Sequence, residues 1–284
     1  MTARVVSTGP LALVQDLGRP GAAALGLGPG GALDRAALVA ANALVANPAS
    51  SAGLEIVFGG FALEFNEPAV FAVTGAVGEV LIDGVPRPQR TAHSVAAGTR
   101  LTIAAASAGL RYYLAIAGGI EAPTLLGSRS RDILAAMGPE PLQAGQLLSF
   151  GSDHQESARP EVFRDPPRPD RRLSLRVTPG PRRDWFVDGA WSQLLSQEWA
   201  ISADSNRIGA RLLGRPLEFS RSGQLPSEGM VTGALQVPPS GLPTIFLADH
   251  PVTGGYPVIA VVRKADIDLL GQAQPGQTLR FLAS

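Results

Sequence analysis

The chain has 284 residues, 45% of them hydrophobic and 17% charged, with a formal net charge of +0. That length suits one large domain or two smaller ones with a sizeable core, and the composition excludes a disordered chain. The neutral balance leaves no global field to recruit nucleic acid or an acidic membrane.

Cysteine is absent, which removes disulfides, thiolate nucleophiles and thiolate-held metals. His93, His154 and His250 lie far apart without HExxH spacing, so no metal site is expected. All basic residues but Lys264 are Arg, so an anion would be held by Arg forks or backbone N–H groups. No signal-like segment opens the chain and no run reaches membrane-spanning length; a soluble cytoplasmic protein is expected.

In chain order, residues 4–14 alternate as a strand and 15–21 (QDLGRPG) follow as a loop. Gly26 to Gly31 read as a glycine-rich turn. Asp34 to Val45 has a helical pattern capped by Asp34 and ended at Asn47-Pro48. Residues 54–65, split by Gly59-Gly60, and 69–73 read as strands, and the Asp83-Gly84 pair marks a hairpin. Residues 92–96, 100–105 and 110–119 continue the strand pattern. Residues 125–138 are polar and glycine-flanked, with room for one helical turn.

Residues 151–172 are polar, proline-rich and mixed in charge, and read as an interdomain linker. The expected division is therefore 1–150, a β-rich domain, 151–172, a crossover, and 173–284, a second β-rich domain. Within the last, 190–200 reads as a short helix, 199–214 as a polar loop leading to a short strand (with a helical 207–211 as the alternative), and 257–272 as a strand passing into a helical turn. Strands RYYLAIAGG and IFLADHPVTGG, and the endings GQLLSF and GQTLRF, echo one another between the halves. Many short strands among 33 Gly and 24 Pro residues favour barrels or sandwiches over a doubly wound sheet.

Polar groups concentrate in residues 227–257. Glu228 precedes a glycine with no helix to cap, and Gln236 begins QVPP. Asp249 and His250 end an apolar strand and precede the Gly254-Gly255-Tyr256 loop. A carboxylate beside an imidazole suits acid/base work, although strand neighbours point to opposite faces and a structural bond to the glycine loop fits Asp249 equally. Arg19 and Arg129 sit in glycine-flanked loops, where a guanidinium suits a carboxylate or phosphate; a surface or internal ion pair is the alternative. Asn206, Arg207 and Arg211 form a third group, with the two arginines on one face if 207–211 is helical. GLGPGG at 26–31 is neither a dinucleotide fingerprint nor a P-loop, which leaves phosphate at the following helix start or an ordinary turn.

These residues lie in segments that resemble a known family. VQDLGRPG (14–21), GALDRAALVAANALVANP (31–48), YLAIAGGI (113–120), LGSRSRD (126–132), NRIGARLLG (206–214), SEGMVTGALQVPPSG (227–241) and ADHPVTGGYPVIAVVRKADI (248–267) are similar to the C subunit of bacterial 5-oxoprolinase. The same group is described as biotin-dependent carboxyltransferase, KipA-like or allophanate hydrolase subunit 2. The resemblance implies a mainly β protein of two β-barrel-like domains, the second cyclophilin-like, with a few short helices. It implies a KipI-like B subunit and a LamB/YcsF-type A subunit as partners, no nucleic acid, and an ATP-driven hydrolase that opens 5-oxo-L-proline to L-glutamate. ATP would be bound by, or shared with, a partner.

A regulatory KipI-binding role without catalysis, or carboxyl transfer from biotin to a small amide, are the alternatives it carries. Under the leading reading the catalytic set is Asp249, Glu228, Arg207 and Gln236. The substrate or anion set is Arg19, Arg129, Asn206, Arg211, Gly254, Gly255, Tyr256 and His250. The chain departs from the family pattern at Arg131, at 137–142 and at His250, which replaces an arginine.

Overall fold

The alternation at residues 4–14 resolves into two strands, Thr2–Thr8 and Leu11–Gln15, because Gly9, in left-handed backbone, and Pro10 turn the chain between them. The computed structural model describes residues 1–151, 165, 168, 170–223 and 225–284. Most of the expected crossover 151–172 therefore lies outside the described residues.

Two compact units emerge. The first comprises Met1–Arg19, Gly30–Asp132 and Ala136–Arg168; the second comprises Pro20–Pro29, Ile133–Ala135 and Pro169–Ser284. The units are thus not contiguous in sequence. Two short stretches of the N-terminal half, 20–29 and 133–135, pack with the C-terminal half.

The first unit holds a seven-stranded and a five-stranded sheet. Val5, Phe61, Leu63 and Leu101 from one sheet, and Leu54, Phe71, Tyr112 and Leu114 from the other, share one buried core. The strand Ala108–Ile116 shows how period-two patterning builds layers. Tyr112, Leu114 and Ile116 enter that core, while Tyr113 and Ala115 face a second cluster with Leu38, Ala41 and Val45 of the helix Arg35–Leu44 and its C-terminal boundary. The helix begins where predicted: Asp34 Oδ1 accepts from Ala37 N at 2.9 Å. Its far end is tied down by Asn47, which donates to Ile116 O and accepts from Gly118 N, both at 2.8 Å. The hairpin Val80–Ile82/Val85–Arg87 turns at Asp83-Gly84, both with positive φ.

The second unit closes a seven-stranded barrel in the order 173–179, 258–262, 234–236, 244–246, 209–213, 199–201 and 278–283. All its pairs are antiparallel except Leu173–Pro179 with Thr278–Ala283. Leu175, Val177, Trp199, Leu235, Ile245, Ala260, Leu279 and Phe281 are its buried apolar residues. The short helix expected in 190–200 is Ala190–Ser196.

Two local expectations are corrected. No helical turn forms in 125–138; the segment closes on itself through the bridges Leu125↔Ser128 and Asp132↔Met137. Residues 207–211 do not make a helix either. Gly209–Leu213 is a barrel strand whose Ala210 and Leu212 are buried and Arg211 exposed, so the period of two prevails and Arg207 and Arg211 share no helical face. Among the described residues no helix is long and apolar enough to cross a membrane.

Candidate functional site

Asp249 follows the strand Thr244–Phe246 and is fully buried. Its carboxylate is clamped by Arg207, with Nε donating to Oδ2 at 2.8 Å and Nη2 to Oδ1 at 2.9 Å. Ile133 N adds a third bond to Oδ2 at 3.0 Å, tying the inserted stretch 133–135 to the barrel. Arg207 is buried too, and Asp249 N in turn donates to Arg207 O at 3.1 Å. Two opposite charges removed from water and bonded on both oxygens form a rigid pair. Such an arrangement holds geometry.

His250 stacks flat on Phe246, with ring centroids 5.7 Å apart. Its Nδ1 meets the Pro251 carbonyl at 2.8 Å; since that oxygen only accepts, Nδ1 bears the hydrogen. Asp249 thus binds Arg207, while His250 packs on an aromatic ring.

The rest of the 227–257 stretch forms a second cluster. Glu228–Gly229 and Thr253–Gly254 pair as a two-stranded ribbon with Glu228 opposite Gly254. Arg182, which sequence reasoning missed, donates through Nε to Glu228 Oε1 at 2.8 Å and through Nη2 to the same oxygen. The hydrogen bond from Arg182 lowers the Glu228 pKa, so the carboxylate stays ionised beside a cation. Gln236 donates through Nε2 to Tyr256 O at 3.3 Å, and a side chain on Gly254 would collide with this amide. Beside them opens a cavity of about 400 Å³ lined by Trp185, Phe219, Arg221, Gly255 and Tyr256. Arg221, on its lining, pairs with Asp184 at 3.1 Å. Asn206 and Arg211 are exposed. The Asn206 side chain is spent on its own turn, accepting from Ile208 N at 2.8 Å.

In the first unit the loops around Arg19 and Arg129 converge on Asp16, a residue not singled out by sequence. Asp16 Oδ1 accepts from Gly18 N and Ser128 Oγ, both at 2.7 Å, and Oδ2 accepts from Arg129 N at 2.6 Å. The Arg129 side chain is exposed and donates to Ala122 O, so this residue contributes its backbone to the cluster. Arg19 is 2% exposed and donates through Nη2 to Ser130 O. Of the departures from the family pattern, two touch: Arg131 Nη1 donates to Glu140 Oε1 at 2.8 Å and to Gly138 O at 3.2 Å.

The start of the helix Arg35–Leu44 does not fit a phosphate. Asp34 already takes Ala37 N, and Glu55 Oε2 takes Leu33 N at 2.9 Å and Tyr113 Oη at 2.8 Å. Asp34 thus takes one of the helix's free donors, and carboxylates already stand where a further anion would have to sit. Burial and the neighbouring Glu55 push the Tyr113 pKa well up, so its hydroxyl stays a donor.

Residues 25–283 match the family described as carboxyltransferase domain, subdomain A and B. The chain is 36% identical over 275 residues to the C subunit of 5-oxoprolinase from Haemophilus influenzae, spanning 96% of this chain and 88% of that protein. It is 35% identical to the C subunit of 5-oxoprolinase from Escherichia coli, spanning 98% and 90%. Among solved structures, the urea amidolyase of K. lactis superposes with a TM-score of 0.91 at 28% identity. That match covers 99% of this chain and 18% of the amidolyase, so the chain corresponds to under a fifth of it. The protein TTHA0988 superposes at 0.87 with 34% identity, covering 99% of this chain and 55% of its own.

Proposed function

The chain belongs to the family of carboxyltransferase domains with subdomains A and B, and from that premise we propose that it serves as the C subunit of a 5-oxoprolinase. In this reading it works in a heteromer with a KipI-like B subunit and a LamB/YcsF-type A subunit. The assembly opens 5-oxo-L-proline to L-glutamate at the expense of ATP. The observation that supports it most is the likeness to two 5-oxoprolinase C subunits along 88% and 90% of their length.

The polar clusters fit this chemistry. A lactam is a weak electrophile, so opening it needs charge stabilisation where its oxygen becomes negative. Gly255 and Tyr256 line a cavity of the second unit, Gln236 bonds to Tyr256 O and Glu228, held by Arg182, pairs with Gly254; together these groups would orient the substrate. The Arg207–Asp249 pair would act from behind as a positioning element, since both partners are buried and bound to each other. ATP would supply the driving force for ring opening, bound by or shared with a partner subunit.

Carboxyl transfer to a small amide is the second reading, favoured by the superposition of TM-score 0.91 on a urea amidolyase. It requires a biotinylated carrier protein. The two are separated by purifying the chain with its candidate partners and measuring ATP-dependent glutamate release from 5-oxoproline. Release supports the proposal. Its absence, while the Escherichia coli complex works in parallel, overturns it.

A further inference from the structure

We infer that Arg19 and Ser130 together read the edge of a cis amide, the O=C–N–H face that a lactam or primary carboxamide presents. The hydroxyl hydrogens around Asp16 can be assigned one by one. A carboxylate only accepts, so Ser128 Oγ spends its single hydrogen on Asp16 Oδ1. The 2.7 Å contact between Ser128 Oγ and Ser130 Oγ must then use the Ser130 hydrogen. Ser130 N also donates to Ser128 Oγ, at 3.0 Å. What remains on Ser130 Oγ is lone pairs: toward a ligand it is an acceptor.

Arg19 offers the complement. It is 2% exposed, Nη2 is taken by Ser130 O, and Nε and Nη1 meet no acceptor among the described residues. Buried guanidinium N–H groups left without an acceptor lose the hydrogen bonds they make in water, so this donor set calls for a partner. Donor and acceptor flank the same point. A Cβ built on Gly30 would lie 3.4 Å from Arg19 Nη1 and 3.4 Å from Ser130 Oγ. Glycine leaves that side free of any side chain.

A donor beside an acceptor selects against a carboxylate, which would gain from Arg19 but face the Ser130 lone pairs. It also selects against an open-chain secondary amide, whose trans bond sets C=O and N–H on opposite edges. A lactam, or a primary amide such as urea, places both on one edge. Its oxygen accepts from Arg19 Nη1 and its N–H donates to Ser130 Oγ. For a ligand to reach these buried atoms the turn at Gly30 and Gly31 would have to move, giving up the 3.3 Å bond from Arg35 Nη2 to Gly30 O. That the natural ligand is 5-oxoproline rests on the proposed function; the selectivity for a cis amide rests on the geometry alone.

The test is binding, read by thermal shift on the purified chain and on the assembled complex, with 2-pyrrolidinone, N-methyl-2-pyrrolidinone, N-methylacetamide and acetate as probes. The expected result is stabilisation by 2-pyrrolidinone and not by the other three. Ser130→Ala and Arg19→Lys should each weaken 2-pyrrolidinone binding about tenfold, the worth of one hydrogen bond. In an active assembly the same variants raise KM for the lactam by a similar factor. Equal binding of the N-methylated lactam, preference for acetate, or no lactam binding by chain and complex alike overturns the inference. The N-methyl comparison uses the unaltered protein, so it stands even where a variant fails to fold. Lactam binding without glutamate release would sink the 5-oxoprolinase reading alone, whereas an unchanged KM in an active Ser130→Ala assembly would sink this inference alone.

Discussion

Replacing Asp249 by Asn keeps the shape of the side chain and removes its charge, so it isolates what the buried pair contributes. Both Asp249 oxygens accept hydrogen bonds, from Arg207 Nε, Arg207 Nη2 and Ile133 N. An amide has one oxygen, so whichever way it flips its NH₂ group faces a donor. Arg207, 1% exposed, is left charged without this counter-ion. Breaking a buried pair in this way costs about 3–5 kcal/mol, roughly a thousandfold in the folding equilibrium. With a urea slope of about 2 kcal/mol per molar, the midpoint falls by about 2 M.

The assay follows from where the tryptophans are. Trp185, Trp191 and Trp199 all lie in the second unit, so their fluorescence reports that unit's unfolding without contribution from the first. The double variant Arg207→Met with Asp249→Leu removes both charges together and should recover more than half of the loss. A midpoint for Asp249→Asn within error of the parent, at unchanged slope, would refute the claim that the pair is a buried anchor. A double variant as unstable as the sum of the singles would refute the coupling.

Two further outcomes are expected. Gly31→Ala should destabilise the first unit by more than about 1–3 kcal/mol, measured by the circular-dichroism melt. The residue sits at φ +84°, and its Cβ would come within 2.6 Å of Gly18 N, a backbone atom that cannot step aside. Glu228 predicts a pH effect: its folded pKa is lowered below 4.5 chiefly by the Arg182 hydrogen bond, so its stabilisation is present above 4.5 and lost as pH falls through the folded value. The midpoint gap between the parent and Glu228→Gln should accordingly close on acidification below 4.5, and a gap that widens instead contradicts the assignment.

Local chemistry was legible in the sequence, and long-range pairing was not. The cap at Asp34, the Asp83-Gly84 hairpin and the short helix within 190–200 each depend on neighbours a few residues away, and each is found within the segment its pattern marks. The polar pairs that organise the candidate sites join residues far apart. Arg207 and Asp249 are separated by 42 positions, Arg182 and Glu228 by 46, Arg19 and Ser130 by 111. Sheet register decides which of these meet, and one sequence carries no record of register beyond its own strands. The adjacency of Asp249 and His250 was visible in the sequence, and the expectation that strand neighbours point apart describes their side chains. Their side chains diverge, to Arg207 and to Phe246. Ser128 and Ser130 had a usable signal: they alternate with Arg129 in a glycine-flanked loop, which aims both hydroxyls to one side.

Glutamate released from 5-oxo-L-proline by the reconstituted assembly with ATP present, with and without this chain, tests the proposed role most directly. The expected result is release that needs the chain, and that falls when Ser130 is replaced by Ala at subsaturating lactam. Glutamate formation at the same rate when the chain is left out, or none from the complete assembly beside a working Haemophilus influenzae or Escherichia coli complex, would contradict it.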